Sequence, residues 1–139
     1  MEREKTIFEK IIAKEIPADI VYEDDHTLAF LDISPVKAGH TLVVPKNWSR
    51  NILDMTSQDR EYVFATVQKI CKAVKKAVNA DGVNIHMNNE PGAGQIVFHS
   101  HVHVIPRFDG DGLQHWHKDA NYKESESADI VDKIKKEIS

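Results

Sequence analysis

Between residues 99 and 105 the chain reads His-Ser-His-Val-His-Val-Ile. No other segment constrains the fold as tightly. Side chains of a β-strand alternate between its two faces, so His99, His101 and His103 are predicted to project together. Phe98, Ser100, Val102 and Val104 then form the opposite face, which suits a core. Three imidazoles on one face, each able to titrate near neutral pH, suit metal, phosphate or proton chemistry. Alternate residues of one strand lie roughly 6–7 Å apart at the backbone, so they converge on a metal only with help from the rest of the sheet. No Cys-x-x-Cys pair supplies further ligands.

The flanking segments supply that sheet. Ile20 to Glu23 and Thr27 to Asp32 read as strands joined through Asp24-Asp25-His26. Ser34-Pro35 and Gly39 mark a loop, and His40 to Pro45 is a third strand. Val83 to Asn88 is a fourth, and Ile96 to Arg107 contains the fifth. Two helices precede or interrupt them. Thr6 to about Lys14 has a capping-box pattern in Thr6 and Glu9, an apolar face of Ile7, Phe8, Ile11 and Ile12, and Pro17 as its stop. Ser57 to Asn79 is the longest, with Thr56 and Asp59 as its cap, Gly82 as its stop, and Val63, Val67, Ile70, Val74 and Val78 at helical spacing beside Phe64 and Cys71. After the break at Asp109-Gly-Asp-Gly112, Ser127 to Ile138 reads as a terminal helix striped by Ile130, Ile134 and Ile138. The expected fold class is α+β: an antiparallel sheet of about five strands, one long helix packed on it and a short N-terminal helix. The 139 residues suit one domain (1–139), with a core over about 7–108 and a C-terminal extension over 109–139.

Charge and composition exclude several classes of function. The net charge is −4, with acids and bases well mixed. A general nucleic-acid binder usually shows a basic stripe, so no nucleic-acid partner is expected. No apolar run approaches a membrane span, so no membrane partner is expected either. The N-terminal residues lack a signal-peptide core, and the one cysteine, Cys71, fits a reducing compartment; together these point to the cytoplasm. Asn47-Trp48-Ser49 matches a glycosylation sequon that such a location leaves unused.

The histidine run, the loop Asn88-Asn-Glu-Pro-Gly-Ala-Gly-Gln95, and the segments Leu28–Pro35 and Gly39–Lys46 together resemble the histidine triad family, over about Ile7 to Phe108. The family signature is His-φ-His-φ-His-φ-φ, with φ apolar; Ser100 departs from it at the first φ. The resemblance is nearest to the Hint branch. It implies a homodimer and a purine nucleotide (AMP-type) ligand, with no cofactor. The implied reaction is hydrolysis of nucleoside 5′-phosphoramidates or AMP–amine conjugates through a covalent nucleotidyl-histidine, releasing AMP. The other readings are a dinucleoside polyphosphate hydrolase and a non-catalytic nucleotide-binding adaptor.

Residue by residue, the resemblance makes His101 the nucleophile and His103 a phosphate contact. His99 orients the nucleophile through the strand, helped by His40. An attacking imidazole must present one bare nitrogen while an acceptor such as a backbone carbonyl holds the proton on the other. Gly94 permits close backbone approach to an anion, neighbouring amides face the phosphate, Gln95 donates from its side chain, and Asn88 contacts the bridging or ribose side. Asp32 accepts the ribose hydroxyls. Ile7, Phe8, Ile11, Phe30, Ile33 and Leu42 form the base slot, although each apolar residue taken alone suits the core equally well. Some relatives hold structural zinc through two cysteines whose positions correspond to Thr6 and Glu9, so no metal is expected here. Ile96 stands where Hint-type relatives often carry Ser. His115-Trp116-His117 fits either a contact to a partner's site or a surface cluster, and His26 and His86 read as structural or exposed.

Overall fold

The computed structural model describes residues 2–138. Five strands form one antiparallel sheet in the order β1-β2-β3-β5-β4. They are β1 (Ile20–Glu23), β2 (Thr27–Leu31), β3 (Thr41–Pro45), β4 (Gly82–His86) and β5 (Val102–Arg107). The helices are α1 (Ile7–Ile12), α2 (Ser57–Ala77) and α3 (Glu126–Glu137). The expected α+β class, strand number and helix order are all present.

The central strands are buried on both faces, and their alternation sorts the two cores. Ala29 and Val43, with Val102 and Val104 of β5, turn toward α2 and meet Val63, Val67, Ile70 and Val74. Each valine or isoleucine among them taken fully out of water stabilises the fold by ~1.5–3 kcal/mol. Leu28, Phe30, Leu42 and Val44 turn the other way and pack under α1 against Phe8 and Ile11. The α1 cap forms as the sequence indicates: the Thr6 hydroxyl accepts from the Glu9 amide and the Glu9 carboxylate accepts from the Thr6 amide. Thr56 caps α2 by accepting from the Asp59 amide at 3.1 Å.

Several boundaries differ from expectation for local reasons. Both helices end earlier because Lys14 (φ 62°) and Asn79 (φ 54°) take positive φ. Gly82 is therefore the first residue of β4 and not the stop of α2. Asp32 and His40 flank β2 and β3 without belonging to them; the Asp32 amide donates to the His40 carbonyl at 2.9 Å across the gap. Strand β5 begins only at Val102, so His99 and His101 precede it. The three histidines do not form one regular ladder. Helix α3 buries none of its residues, and the stripe expected there leaves Ile134 and Ile138 exposed.

Candidate active site

The segment 98–101 leaves strand geometry because its backbone is held elsewhere. The Ser100 amide donates to the Ser49 carbonyl at 2.8 Å, and the two hydroxyls share a buried hydrogen bond of 2.6 Å. The Trp48 indole N–H donates to the Phe98 carbonyl at 2.8 Å. Ser100, the departure from the apolar pattern, thus fastens the approach to the strand.

This path frees the His99 carbonyl to face its neighbour's ring. His101 Nδ1 lies 2.6 Å from it. A carbonyl only accepts, so Nδ1 carries the proton and Nε2 of a neutral His101 is bare. Orientation of His101 therefore runs through the main chain of His99. The His99 ring itself is fully buried: Nε2 donates to the Pro45 carbonyl at 2.9 Å, and Nδ1 accepts from the Thr6 hydroxyl at 3.1 Å.

A second chain of contacts fixes His103 in the opposite sense. The Val36 amide donates to His40 Nδ1 at 3.1 Å, so His40 holds its proton on Nε2. That nitrogen lies 2.9 Å from His103 Nδ1 and donates to it. A neutral His103 then keeps its own proton on Nε2. His40 was expected to support His101; its contact is with His103. Asp32 Oδ2 stands 3.6 Å from His40 Nε2. Asp32, His40 and His103 bring three ligand-type atoms together. A cation there would require a bare His40 Nε2, forcing the proton onto Nδ1 against the Val36 N–H. Metal-bound histidines need an acceptor at the outer nitrogen, so the set does not suit a metal.

Electrostatics agree with neutral rings. Burial lowers the pKa of His40, His99 and His101. Burial, reinforced by His101, His40 and His86, pushes His103 down to about 4.

His101 and His103 line a cavity of about 660 Å³. Phe8, Ile11, Phe30 and Leu42 form its apolar end, and the Phe8 ring lies edge-on to His101 at 5.0 Å. Asp32, Asn88, Gly94 and Gln95 also line it, with Ile7, Ile33 and Ile96 at the exposed mouth; Ile33 is 97% and Ile96 86% exposed. The cavity therefore brings together every expected site residue except His99 and His40, which stand behind it. None of its lining residues is a lysine or arginine. A bare imidazole nitrogen beside an imidazole N–H, at the polar end of an apolar slot, can attack phosphorus and donate a hydrogen bond to the group that leaves.

The residues matching a family model described as the HIT domain are 13–110. The chain belongs to the HIT family. "Protein hit" of Bacillus subtilis is 44% identical over 139 residues, covering 98% of this chain and 96% of that protein. The crystal structure of SMU.412c from Streptococcus mutans matches with a TM-score of 0.92 at 44% identity, covering 99% of this chain and 88% of that one. "Adenylylsulfatase HINT3" of Arabidopsis thaliana is 37% identical over 107 residues, covering 77% of this chain and 54% of that protein. The HIT family comprises nucleotide-binding proteins and nucleotide hydrolases.

The HIT loop over 88–97 departs from expectation. Gln95 is buried, and both its amide hydrogens are used, donating to the Arg50 and Val97 carbonyls at 2.7 and 3.0 Å. Its carbonyl accepts from Asn51 Nδ2 and from the Glu90 amide. Its side chain has no donor left for a phosphate and is a brace for the loop. The amides of Ala93, Gly94 and Gln95 are likewise tied to the Glu90 and Pro91 carbonyls. Among the described residues, the Ile96 and Val97 amides have no such partner, and both residues line the cavity. Gly94 has φ 89°, and a Cβ there would meet Asn88 Nδ2 at 3.3 Å. The positive φ favours glycine, and a Cβ would also crowd the Asn88 carboxamide, which donates to the Gly94 carbonyl at 3.3 Å.

Sequence reasoning missed three participants around the site. His86 pairs across the sheet with His103, their ring centroids 5.7 Å apart. Trp116 stacks on His86 at 6.2 Å and is otherwise 81% exposed. Correct strand register would have found His86. Arg50, whose side chain reaches Glu90 across the loop, has no local signal.

Proposed function

We propose that this protein hydrolyses nucleoside 5′-phosphoramidates or AMP–amine conjugates, releasing AMP. The observation that carries the reading is the opposed pair of tautomers: a bare Nε2 on His101 and a proton on Nε2 of His103. His101 Nε2 attacks the α-phosphorus, a P–N bond to His101 forms, and the bond to the leaving amine breaks. The leaving amine accepts a hydrogen bond from His103 Nε2–H and takes its proton from a water; the hydroxide left attacks phosphorus, and the bond to His101 breaks to release AMP. Each histidine returns to its starting state, with no cofactor or metal. Asp32 accepts from the ribose hydroxyls, and the slot of Phe8, Ile11, Phe30 and Leu42, with Ile7 and Ile33 at its rim, holds a purine. The Ile96 and Val97 amides, with Asn88, contact the phosphate.

Two other readings share the attack on an adenylyl phosphorus and differ in the leaving group. A dinucleoside polyphosphate and an adenylylsulfate both bring extra negative charge. The cavity has no lysine or arginine to meet it, Asp32 and Asp19 are carboxylates, and the histidines are neutral. This favours a leaving group without negative charge. The deciding experiment compares kcat/KM for adenosine 5′-phosphoramidate, diadenosine polyphosphate and adenylylsulfate, with AMP binding measured alongside. The phosphoramidate should be turned over fastest. AMP binding without turnover of any of the three would leave the adaptor reading.

The same proposal includes a cytoplasmic homodimer. Strand β4 is a sheet edge, and exposed Ile85 on it and Phe64 on α2 are apolar groups that a second copy would cover. The solution mass should be about twice the 15.8 kDa chain. Among the described residues no helix is long and apolar enough to cross a membrane.

A further inference from the structure

Glu90 occupies a backbone conformation that side-chain-bearing residues avoid. Its φ is 77° with ψ 154°, a region used almost only by glycine. Pro91 follows and restricts it further. The conformation persists only if its surroundings over-determine it, and the surroundings are specific. Arg50 donates through Nε and Nη2 to the two Glu90 carboxylate oxygens at 2.7 and 3.3 Å, a forked pairing. Asn51 Nδ2 donates to the same carboxylate. The Arg50 guanidinium also lies over the Phe98 ring, 4.4 Å from its centroid, directly before the histidine segment. The main chain of Glu90 is held as firmly: its amide donates to Gln95 at 2.8 Å, and its carbonyl accepts from Ala93 and Gln95. Gln95 in turn donates to the Arg50 carbonyl. Residues 50–51 and the turn 90–95 thus form one closed hydrogen-bonded unit, and the Ile96 and Val97 amides follow it immediately.

We propose that the Arg50–Glu90 pair, with Asn51, is a clamp that holds the strained 90–95 turn and so aims the Ile96 and Val97 amides at the phosphate beside His101. Glu90 and Arg50 are positioning residues, not catalytic ones. The inference rests on the function proposed above for its catalytic consequence, but not for the clamp itself. Neither residue lines the cavity, so neither contributes charge to the ligand directly.

The test uses four variants of the full chain: Glu90→Ala, Arg50→Met, the two combined, and Glu90→Gln. Amide hydrogen exchange over 90–97 reads the clamp, and steady-state turnover of adenosine 5′-phosphoramidate reads its consequence. Glu90→Ala and Arg50→Met should each speed exchange in 90–97 while leaving α2 protected. Each should lower kcat about 10- to 100-fold, the range a misplacement near 1 Å produces, with KM changed far less. The combined variant should lose clearly less than the product of the two single losses, because the Arg50–Glu90 pair is removed by both. Glu90→Gln keeps an acceptor for Arg50 and should recover most of the lost rate. Unchanged exchange in the single variants would overturn the clamp, as would faster exchange with wild-type turnover, or losses that add in the combined variant. If the wild-type chain fails to turn over the phosphoramidate, the proposed function fails, and exchange still decides whether the clamp exists.

Discussion

The two faces of the central sheet are made from the same strands, one residue out of step, and they differ in what they leave exposed. On one face, Ala29, Val43, Val102 and Val104 are covered end to end by the valines and Ile70 of α2. On the other, the six-residue α1 lays Phe8 and Ile11 over Leu28, Phe30, Leu42 and Val44, and the rest is the cavity edged by His101 and His103. The first face needs no polar partner and gains by being closed. The second must hold buried imidazoles, and each of these has a hydrogen-bond partner. The difference sets a closed core on one side and the candidate site on the other, and four perturbations can break or sharpen it.

The largest effect is expected from His101→Ala, which should lower turnover by about 10³-fold or more while AMP still binds and the melting temperature changes little. Steady-state kinetics with AMP titration checks it. Next is Val67→Ala on the closed face. It should cost ~1.5–3 kcal/mol in a denaturant titration through lost burial and a cavity, with kcat unchanged. Equal effects of the two substitutions on stability and turnover would erase the contrast between the faces.

The third perturbation is pH. His101 must be neutral to attack, and burial holds its pKa below the ordinary 6.5. Turnover should therefore stay level as pH falls through 6.5 and drop only below it. Half-loss at or above pH 6.5 would mean that the ring is not desolvated. Stability has the same sign. For histidines whose folded pKa is lowered, the unfolded chain binds more protons below 6.5, so stability should decline from there toward about 4, where His103 also titrates.

The smallest effect is expected from Ile96→Ser at the exposed mouth. A hydroxyl there could assist a leaving amine that an isoleucine cannot. Turnover of alkylamine phosphoramidates should rise a few-fold, and that of activated aryl leaving groups less. An equal gain, or none, would reject the idea that residue 96 lacks a needed donor and leave the His101 attack standing.

Much of the closed face was legible in the sequence, because Val63, Val67, Ile70 and Val74 fall at helical spacing and the strands opposite alternate at spacing two. The active face was legible in its residue types but not in its wiring. The histidine run implied a strand, yet strand geometry would have consumed the His99 carbonyl that His101 needs. Gln95 read as a free donor because two of its four partners, Arg50 and Asn51, lie more than forty residues away, and no local pattern carries those contacts. His40 was expected beside His101, and only the β3–β5 register, with Leu42 opposite His103, brings it to His103. The positive φ of Glu90 had no compositional signal, since glycine is the usual sign of such a position.

The central claim is that His101 Nε2, bared by the His99 carbonyl, attacks an adenylyl phosphorus. Rapid acid-free quenching of the wild-type protein with adenosine 5′-phosphoramidate, followed by peptide mass spectrometry, tests it most directly. A transient adenylyl adduct is expected on the peptide bearing His101, absent from His101→Ala and retained in His99→Ala if that variant folds. An adduct that persists in His101→Ala, or full turnover by that variant, would contradict it.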